Sequence, residues 1–184
     1  RIWGRALEPK QKLAQDIKDV LLNRRRLSAF TITREEARQF FVLLEKFRPD
    51  YLYCYPNAAT LFAQHLRDLG LHAARLGLKA IICTSEPLLE RNRHLLTETF
   101  ACPAVSEYGT SENGILAMEC ERGNMHALSG NVIIEFLEDM EPVADGELGE
   151  VVVTELHSRS IPFIRYRTGD LGSPRGDRCP CGRT

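Results

Sequence analysis

One short stretch of the sequence combines residue types that could hold a nucleotide. Residues 106–112 read Ser-Glu-Tyr-Gly-Thr-Ser-Glu, with an aromatic ring, a glycine, two hydroxyls and a carboxylate in the last five positions. An aromatic ring can stack on a base, a glycine lets the backbone approach a ligand, and a carboxylate can hold magnesium. Taken alone, the same composition fits a polar turn between two strands better than a binding site.

A second stretch places an acidic residue where it could hold a ribose. Residues 161–170 read Ile-Pro-Phe-Ile-Arg-Tyr-Arg-Thr-Gly-Asp. We predict a strand over 163–166 that ends in a Thr-Gly-Asp turn, which puts the carboxylate of Asp170 at the end of the strand. Acidic residues accept the ribose hydroxyls in other nucleotide sites. The alternative is an aspartate that only bonds the backbone of its own turn.

Three cysteines and one histidine in the second half of the chain offer a third kind of chemistry. These residues are Cys120, His126, Cys179 and Cys181. Three sulfurs and one imidazole suit a tetrahedral structural zinc ion, and a cysteine cluster in an intracellular protein is more often a metal site than a disulfide framework. The Cys-x-Cys spacing is tighter than the common two-residue gap. The alternative is four unconnected residues, with Cys181 and Gly182 forming a turn.

The elements that must position these residues fall into two groups. In the first half, apolar residues at helical spacing alternate with short apolar runs, which predicts an α/β fold with a parallel sheet. Helices are predicted to begin near Pro9, Thr33, Asn57 and Pro87, and strands to cover 51–55 and 79–83. Thr33 with Glu36 is a capping-box pattern, Asn57 is a good helix cap, and Pro87 suits the first turn of a helix.

After residue 105 the pattern becomes mainly β. Short strand-like runs cover 114–118, 131–137, 149–156 and 163–166, with turn residues between them. We therefore predict an α/β subdomain with a parallel sheet over 1–103. It is followed over 104–184 by a mainly β subdomain, a distorted barrel or an antiparallel sheet, that carries the nucleotide motifs.

The composition is that of a soluble, core-forming chain. Of the 184 residues, 43% are apolar and 27% are charged, and the formal net charge is -1. A chain so close to neutral has no general attraction to nucleic acid or anionic membranes. No apolar run is long enough to cross a bilayer and no secretion signal is recognisable. We expect a cytoplasmic protein.

Taken together and in order, the motifs resemble those of the adenylate-forming (AMP-forming) ligase superfamily. Residues 108–112 are similar to its Tyr-Gly-x-Thr-Glu motif, 166–170 match its Tyr-Arg-Thr-Gly-Asp motif, and 145–154 resemble its Gly-Glu-Leu-Gly-Glu element and the following strand. Residues 84–88 fall where the superfamily keeps a loop beside adenine. The segment 161–166 and the terminal Cys-Pro-Cys-Gly-Arg are similar to the phenylacetate–coenzyme A ligase branch, and 51–56 to its capsular polysaccharide biosynthesis members.

The resemblance implies a role for each matching residue. Tyr108 would stack on adenine beside a pocket wall, Gly109 would let the backbone approach the nucleotide, and Asp170 would hold the ribose. Thr110 and Ser111 would contact the α-phosphate. The pocket wall would consist of Ser85, Glu86 and Pro87. Glu112 would bind magnesium. Ser111 departs from the family pattern, which has threonine there, but keeps the hydroxyl. By the family layout, Tyr53, Tyr55 and Asn57 would lie near the acyl pocket. For Tyr53 the alternative of an aromatic strand packed in the core stays open.

The resemblance also implies the reaction and its partners. A carboxylic acid would react with ATP to give an acyl-adenylate, with coenzyme A as the expected acceptor of the acyl group. The chain would be the middle portion of such a ligase, between the superfamily's phosphate loop and its lid, so that we expect weak nucleotide binding without turnover from this stretch alone. One alternative function stays open, a non-catalytic nucleotide-binding or scaffold relative in polysaccharide biosynthesis. Assembly as a homodimer stays open as well.

Overall fold

The structure, a computed structural model, describes residues 1–4 and 9–183, with the backbone alone at 9–12. The chain divides into two compact units, Arg1–Ser106 and Glu107–Thr184. The division falls inside strand β3 (Ala104–Thr110), whereas the predicted boundary lies just before that strand. The two units are described in turn.

The helices of the first unit start where local capping chemistry allows. They are α1 (Pro9–Leu21), α2 (Arg34–Phe47), α3 (Pro56–Asp68) and α4 (Glu90–Phe100), with a 3₁₀ turn at Ala73–Leu76. At α2 the predicted capping box is confirmed, because the Thr33 hydroxyl accepts from Glu36 N (3.2 Å) and Glu36 Oε2 accepts from Thr33 N (2.8 Å). In the part of the chain that the structure describes, no helix is both long and apolar enough to span a bilayer.

Two helix starts differ from the prediction. Helix α3 begins at Pro56 with Tyr55 as its cap, so Asn57 is not the cap. The fixed φ of proline suits the first helical position, and it decides the start. Helix α4 begins at Glu90, beyond Pro87. The carbonyl oxygen of Leu89 accepts the first helical hydrogen bonds, from the backbone N–H groups of Asn92 and Arg93, each at 2.9 Å.

The sheet of the first unit is parallel, as predicted. Strand β1 (Tyr51–Cys54) pairs with β2 (Ala80–Cys83), which pairs with the beginning of β3. The core between the sheet and the helices is large and rich in aromatic residues, with Phe62 and Phe100 fully buried. This unit confirms the α/β class predicted from the alternating helical and strand patterns.

The second unit is antiparallel. The remainder of β3 pairs with β4 (Gly114–Glu119), and β4 pairs with β5 (Met125–Ala127). A separate four-stranded sheet has the order β7 (Glu141–Pro142), β6 (Val132–Glu138), β8 (Gly149–Glu155), β9 (Tyr166–Gly172). Among the described residues of this unit, the buried apolar cluster consists of Leu116, Val132, Val151 and Val153. The predicted mainly β character is confirmed, on a much smaller core.

The second nucleotide-like motif and the first part of the other lie in strands. Residues 106–110 continue β3, so the turn contains only 111–113. The strand predicted over 163–166 begins at Tyr166 and runs to Gly172, so Asp170 lies within a strand and not at its end. The reason is that the pairing of β9 with β8 continues past a bulge: Val152 pairs with Arg167 and Glu150 with Leu171, and the extra residues between Arg167 and Leu171 form the bulge. The Thr-Gly-Asp sequence, which predicts a turn, is therefore accommodated within the paired strand.

Candidate functional site

The two motifs meet at the side chain of Tyr108 in the second unit. The phenol of Tyr108 donates a hydrogen bond to Asp170 Oδ2 at 2.8 Å, across 62 positions of sequence. The same hydroxyl lies 3.4 Å from Thr168 Oγ1. Burial, together with the negative charge of Asp170, raises the pKa of Tyr108 to about 12. The phenol is therefore neutral and able to donate at physiological pH.

The bulge in β9 holds Asp170 in place through its own backbone. The Thr168 hydroxyl donates to the carbonyl oxygen of Val151 at 3.0 Å and accepts from the backbone N–H of Asp170 at 3.1 Å. Gly169, between them, has φ +81°, a conformation that suits glycine. Bulges commonly re-aim a side chain next to a functional site. Here the bulge turns the carboxylate of Asp170 toward Tyr108.

A charged pair joins this bulge to the Gly-Glu-Leu-Gly-Glu element. Arg167 Nε donates to Glu150 Oε2 at 2.6 Å, and this hydrogen bond, together with the negative charge of the carboxylate, raises the pKa of Arg167. Glu150 stands on β8, next to the bulge. Neither residue was predicted from the sequence to have a role. Their opposite charges within two recognised motifs were the available signal.

Gly109 is required by the packing of strand β3 against β4. A Cβ atom at this position would lie 2.2 Å from the carbonyl oxygen of Gly114, which is backbone and cannot move aside cheaply. The strand register also shifts between Tyr108 and Gly109. Gly109 thus lets β3 and β4 stay close while Tyr108 is turned toward Asp170. The backbone that Gly109 approaches closely is therefore that of strand β4, whereas the resemblance implied a close approach to the nucleotide.

The turn after β3 presents the other predicted residues. The Thr110 hydroxyl is bonded to Asn113, donating to its Oδ1 at 3.1 Å and accepting from its backbone N–H at 3.0 Å. Ser111 and Glu112, between them, are exposed. Glu112 lines a cavity of about 710 Å³ together with polar residues that include Asn113 and Glu155. This cavity has oxygen ligands of the kind that magnesium takes.

Tyr108 and Glu112 line different cavities of the second unit. Tyr108 borders a largely apolar cavity of about 640 Å³ whose walls include Ile134 and Phe136. From Tyr108 to Thr110 the strand advances by about 7 Å at 3.3 Å per residue. A nucleotide that extends along β3 from its base toward its phosphates would cover such a distance. The structure brings Tyr108 and Asp170 into contact, and it places Glu112 further along the same strand and turn.

The remaining predicted nucleotide residues belong to the first unit. Ser85, Glu86 and Pro87 are exposed in the segment between β2 and α4, and Ser85 has φ +66°. Glu86 Oε2 accepts from the backbone N–H of Asn57 at 3.3 Å, so the predicted acyl-pocket residue Asn57 lies beside this loop.

An aromatic group of the first unit contains a residue that sequence analysis missed. The ring of Trp3 stacks on Tyr55 with 4.3 Å between centroids, and lies 5.5 Å from the ring of Tyr53. Tyr53 and Tyr55 were predicted near the acyl pocket, whereas Trp3 is distant from them in sequence. Trp3 is the single tryptophan of the chain, but this fact alone does not predict which ring it stacks on.

The four predicted metal-binding residues converge. The ligand atoms of Cys120, His126, Cys179 and Cys181 all lie within 4.8 Å of one another. The Cys120 and Cys179 sulfurs are 3.7 Å apart, and the Cys181 sulfur is 3.4 Å from His126 Nε2. Around a tetrahedral zinc ion with ordinary bond lengths, two ligand atoms lie roughly 3.6–3.8 Å apart. The donor set and its spacing therefore fit a zinc ion.

Backbone amides surround two of the sulfurs. The N–H of Arg122 points to Cys120 Sγ and the N–H of Arg183 to Cys181 Sγ, each at 3.4 Å. In both cases the donor lies two residues after the cysteine, so each thiol sits inside a tight turn. Gly182 has φ +82° within the second turn. Hydrogen bonds of this kind favour a thiolate, which is the form that binds metal. At Cys181 the bond from Arg183 is outweighed by burial and by the neighbouring sulfurs of Cys179 and Cys120, which raise the pKa of the thiol.

The third sulfur, of Cys179, is held by a side chain as well. Asn124 Nδ2 donates to Cys179 Sγ at 3.2 Å, and Arg175 Nη1 donates to Asn124 Oδ1 at 2.6 Å. The pKa of Cys179 is lowered to about 7, first by the backbone N–H of Cys181, against the opposing effect of burial. Asn124 is a further residue that sequence analysis missed, because an asparagine in a turn gives no sign of a distant sulfur.

Comparisons with known proteins agree with the motifs. No protein-family model matches the chain. It is 31% identical over 149 residues to phenylacetate-coenzyme A ligase of Thermus thermophilus, an alignment covering 78% of this chain and 34% of that enzyme. It is 24% identical over 149 residues to protein CapK of Staphylococcus aureus, covering 81% and 32% respectively. The chain thus spans about a third of the length of the curated relatives it matches.

The fold agrees with a solved structure. The structure of 2-hydroxyisobutyryl-CoA ligase in the postadenylation state, in complex with 2-HIB-AMP, matches with a TM-score of 0.77 at 21% identity, covering 100% of this chain and 40% of that one. Over the length that it covers, the chain therefore has the fold of an adenylate-forming ligase. Its homologues by sequence are phenylacetate–coenzyme A ligases and CapK, which confirms the resemblance that the motifs indicated.

Proposed function

We propose that this chain is the adenosine-holding part of an AMP-forming acid–coenzyme A ligase. In the whole protein a carboxylate attacks the α-phosphorus of ATP, giving an acyl-adenylate and pyrophosphate. The thiol of coenzyme A then attacks the acyl carbon, giving an acyl thioester and AMP. The names of the sequence relatives support this reaction. The single observation that carries the proposal is the 2.8 Å hydrogen bond between Tyr108 and Asp170.

The Tyr108–Asp170 pair is suited to adenosine. The Tyr108 hydroxyl occupies one lone pair of Asp170 Oδ2, which leaves the other oxygen, with its two lone pairs, for the ribose hydroxyls. The same bond keeps the phenol ring in one orientation, so that its face can stack on the base. Asp170 is exposed, and a ligand can reach it from solvent. The proposed place of Ser85, Glu86 and Pro87 beside adenine rests on the family resemblance alone.

The turn after β3 is suited to the phosphates. Glu112 is exposed on its cavity and is the residue that would hold magnesium, which usually keeps several waters and takes one or two carboxylates along with phosphate oxygens. When bound, magnesium would neutralise charge that develops on the α-phosphate. Ser111 can donate its hydroxyl to a phosphate oxygen. For Thr110 to do the same, its hydroxyl must first break the hydrogen bond that it donates to Asn113 Oδ1.

We also propose that the Cys120, His126, Cys179 and Cys181 cluster holds a structural zinc ion. Four protein ligands fill a tetrahedral shell, so no position is left open for a reacting water. The four ligand atoms lie within 4.8 Å of one another, and two of the pairs are already at 3.7 and 3.4 Å. The zinc ion would then stabilise the second unit and take no part in the chemistry.

The direct test is ATP–pyrophosphate exchange by the whole protein across a panel of carboxylic acids. At least one acid should support exchange, and Glu112→Gln should abolish it. Glu138→Gln, the same substitution at an exposed carboxylate of the second unit, is the matched control and should leave exchange unchanged. Binding of AMP without exchange on any acid would favour the non-catalytic relative instead.

The same assay addresses the other open expectations. The residues 1–184 alone should bind AMP weakly and give no exchange, and exchange by this stretch would contradict that expectation. The acceptor is tested by adding coenzyme A and following thioester formation. Cytoplasmic location and a homodimer stay predictions, to be checked by fractionation and by light scattering.

A further inference from the structure

A carboxylate outside every recognised motif touches the turn that follows β3. Asn113 Nδ2 donates to Glu155 Oε1 at 3.2 Å, across 42 positions of sequence. Both side chains are half-buried, and both line the cavity that contains Glu112. A hydrogen bond to an ionised carboxylate is stronger than one between neutral groups, and more so when partly shielded from water. The contact can therefore hold the turn against the sheet.

Asn113 passes this restraint to Thr110. Its side-chain oxygen accepts the Thr110 hydroxyl proton and its backbone N–H donates back to the same hydroxyl. The Thr110 donor is thus used inside the turn, and one acceptor position of its oxygen is used as well. Phosphate oxygens only accept, so Thr110 in this arrangement shapes the turn. Ser111 and Glu112, which lie between Thr110 and Asn113, are exposed and available to a ligand.

Glu155 is a firm point of attachment. It is the last residue of β8, pairs with Val132 across the sheet, and donates its backbone N–H to the carbonyl oxygen of Phe163 at 2.9 Å. A turn tied to a strand keeps its position better than a turn tied to a loop.

We infer that Asn113 and Glu155 are positioning residues for the ligase reaction. Together they fix the turn 110–113 so that Ser111 and Glu112 face the phosphates. This inference rests on the proposed function, and it adds two residues that no motif contains. Neither residue is expected to touch the nucleotide.

The test exchanges donor and acceptor across the contact. Asn113→Asp places a second carboxylate against Glu155 and should lower kcat for ATP–pyrophosphate exchange roughly ten- to hundredfold, the range expected for losing a hydrogen bond to a charged group. Glu155→Gln keeps an acceptor oxygen but loses the charge, so it should lower kcat less, by roughly three- to tenfold. The double variant should recover most of the loss, because the new glutamine amide can donate to the new aspartate. The KM for ATP should change less than kcat.

A second measurement keeps the inference separate from the proposed activity. Three-bond couplings at the Thr110 methyl report its χ1 angle by NMR, with Thr168 as an internal reference in the same unit. One rotamer is expected in the wild type and in Glu155→Gln, and an averaged one in Asn113→Ala. Absence of exchange in the wild type would defeat the proposed function, whereas the Thr110 rotamer tests separately the geometric part of this inference, namely that Asn113 orders the turn. An unchanged rotamer in Asn113→Ala, or an unchanged kcat in Asn113→Asp, would overturn it.

Discussion

Removal of metal from the Cys/His cluster should unfold the second unit at a temperature where the first unit is still folded. The two units differ in their cores. The first unit buries aromatic side chains such as Phe62 and Phe100, whereas the described core cluster of the second unit holds Leu116 and three valines. Small cores supply little stability, and small domains often add a metal for that reason. We therefore expect the second unit to be the one whose stability depends on a metal at the cluster.

The positions of the ligands explain how a metal would stabilise this unit. Cys120 follows β4 and His126 lies on β5, so both belong to one hairpin. Cys179 and Cys181 come from the segment after β9. A bound ion would connect two segments that are otherwise about sixty residues apart, as the 59 positions between Cys120 and Cys179 show. Because the four ligands come together only in the folded state, the free energy of zinc binding adds to the free energy of folding.

The size of the effect follows from binding linkage. Free zinc at about a thousand times its dissociation constant stabilises the folded state by about 4 kcal/mol. For a unit of the size of Glu107–Thr184, each kcal/mol shifts Tm by about 4–8 °C. Chelation should therefore lower Tm of the second unit by roughly 15–30 °C and leave that of the first unit in place.

Calorimetry of zinc-loaded, chelated and reloaded protein measures this shift. Metal analysis should find one zinc per chain, and cobalt substitution should give the absorption bands of cobalt thiolates. Cys179→Ser should lose the metal, whereas Cys102→Ser, at a buried cysteine of the first unit, is the matched control and should keep it. Full zinc content in Cys179→Ser, or a chelated protein with unchanged transitions, would refute the assignment.

Three further predictions concern single side chains. Tyr108→Phe should weaken AMP binding by up to about tenfold, about 1.4 kcal/mol, because Asp170 loses the hydroxyl that orients it; calorimetric titration measures this, and equal affinity would contradict it. Burial raises the pKa of Tyr108 to about 12 from an ordinary value near 10, so the stabilisation by its neutral phenol is complete below pH 10 and lost as the pH rises through 12. The difference in unfolding free energy between wild type and Tyr108→Phe should accordingly be constant from about pH 8 to 10 and shrink above that range. Phe62→Ala should cost about 3–5 kcal/mol in denaturant unfolding of the first unit, since the ring is fully buried, and a cost below about 1 kcal/mol would show that the core can collapse around the gap.

Features that depend on neighbouring residues, or on the order of motifs along the chain, could be determined from the sequence. The capping box at Thr33 and Glu36 acts within one helical turn, so its residues alone predict the start of α2. The alternation of helical and strand patterns predicted the parallel sheet of the first unit and the β character of the second. The resemblance of the motifs, in their order, to those of the adenylate-forming ligases implied the fold of that superfamily. Chemical identity was enough to select the Cys/His set, because few residue types bind zinc.

Other features were decided only by the tertiary structure. Asp170 lies inside β9 because pairing with β8 continues past a bulge, and ladder pairing depends on a partner strand that no local pattern contains. The contact between Asn113 and Glu155 has the same origin, since the sheet brings together residues far apart in the chain. The Tyr108–Asp170 bond likewise joins two strands of different sheets within the second unit. The sequence by itself determined which side chains were available for chemistry, and strand register decided which of them meet.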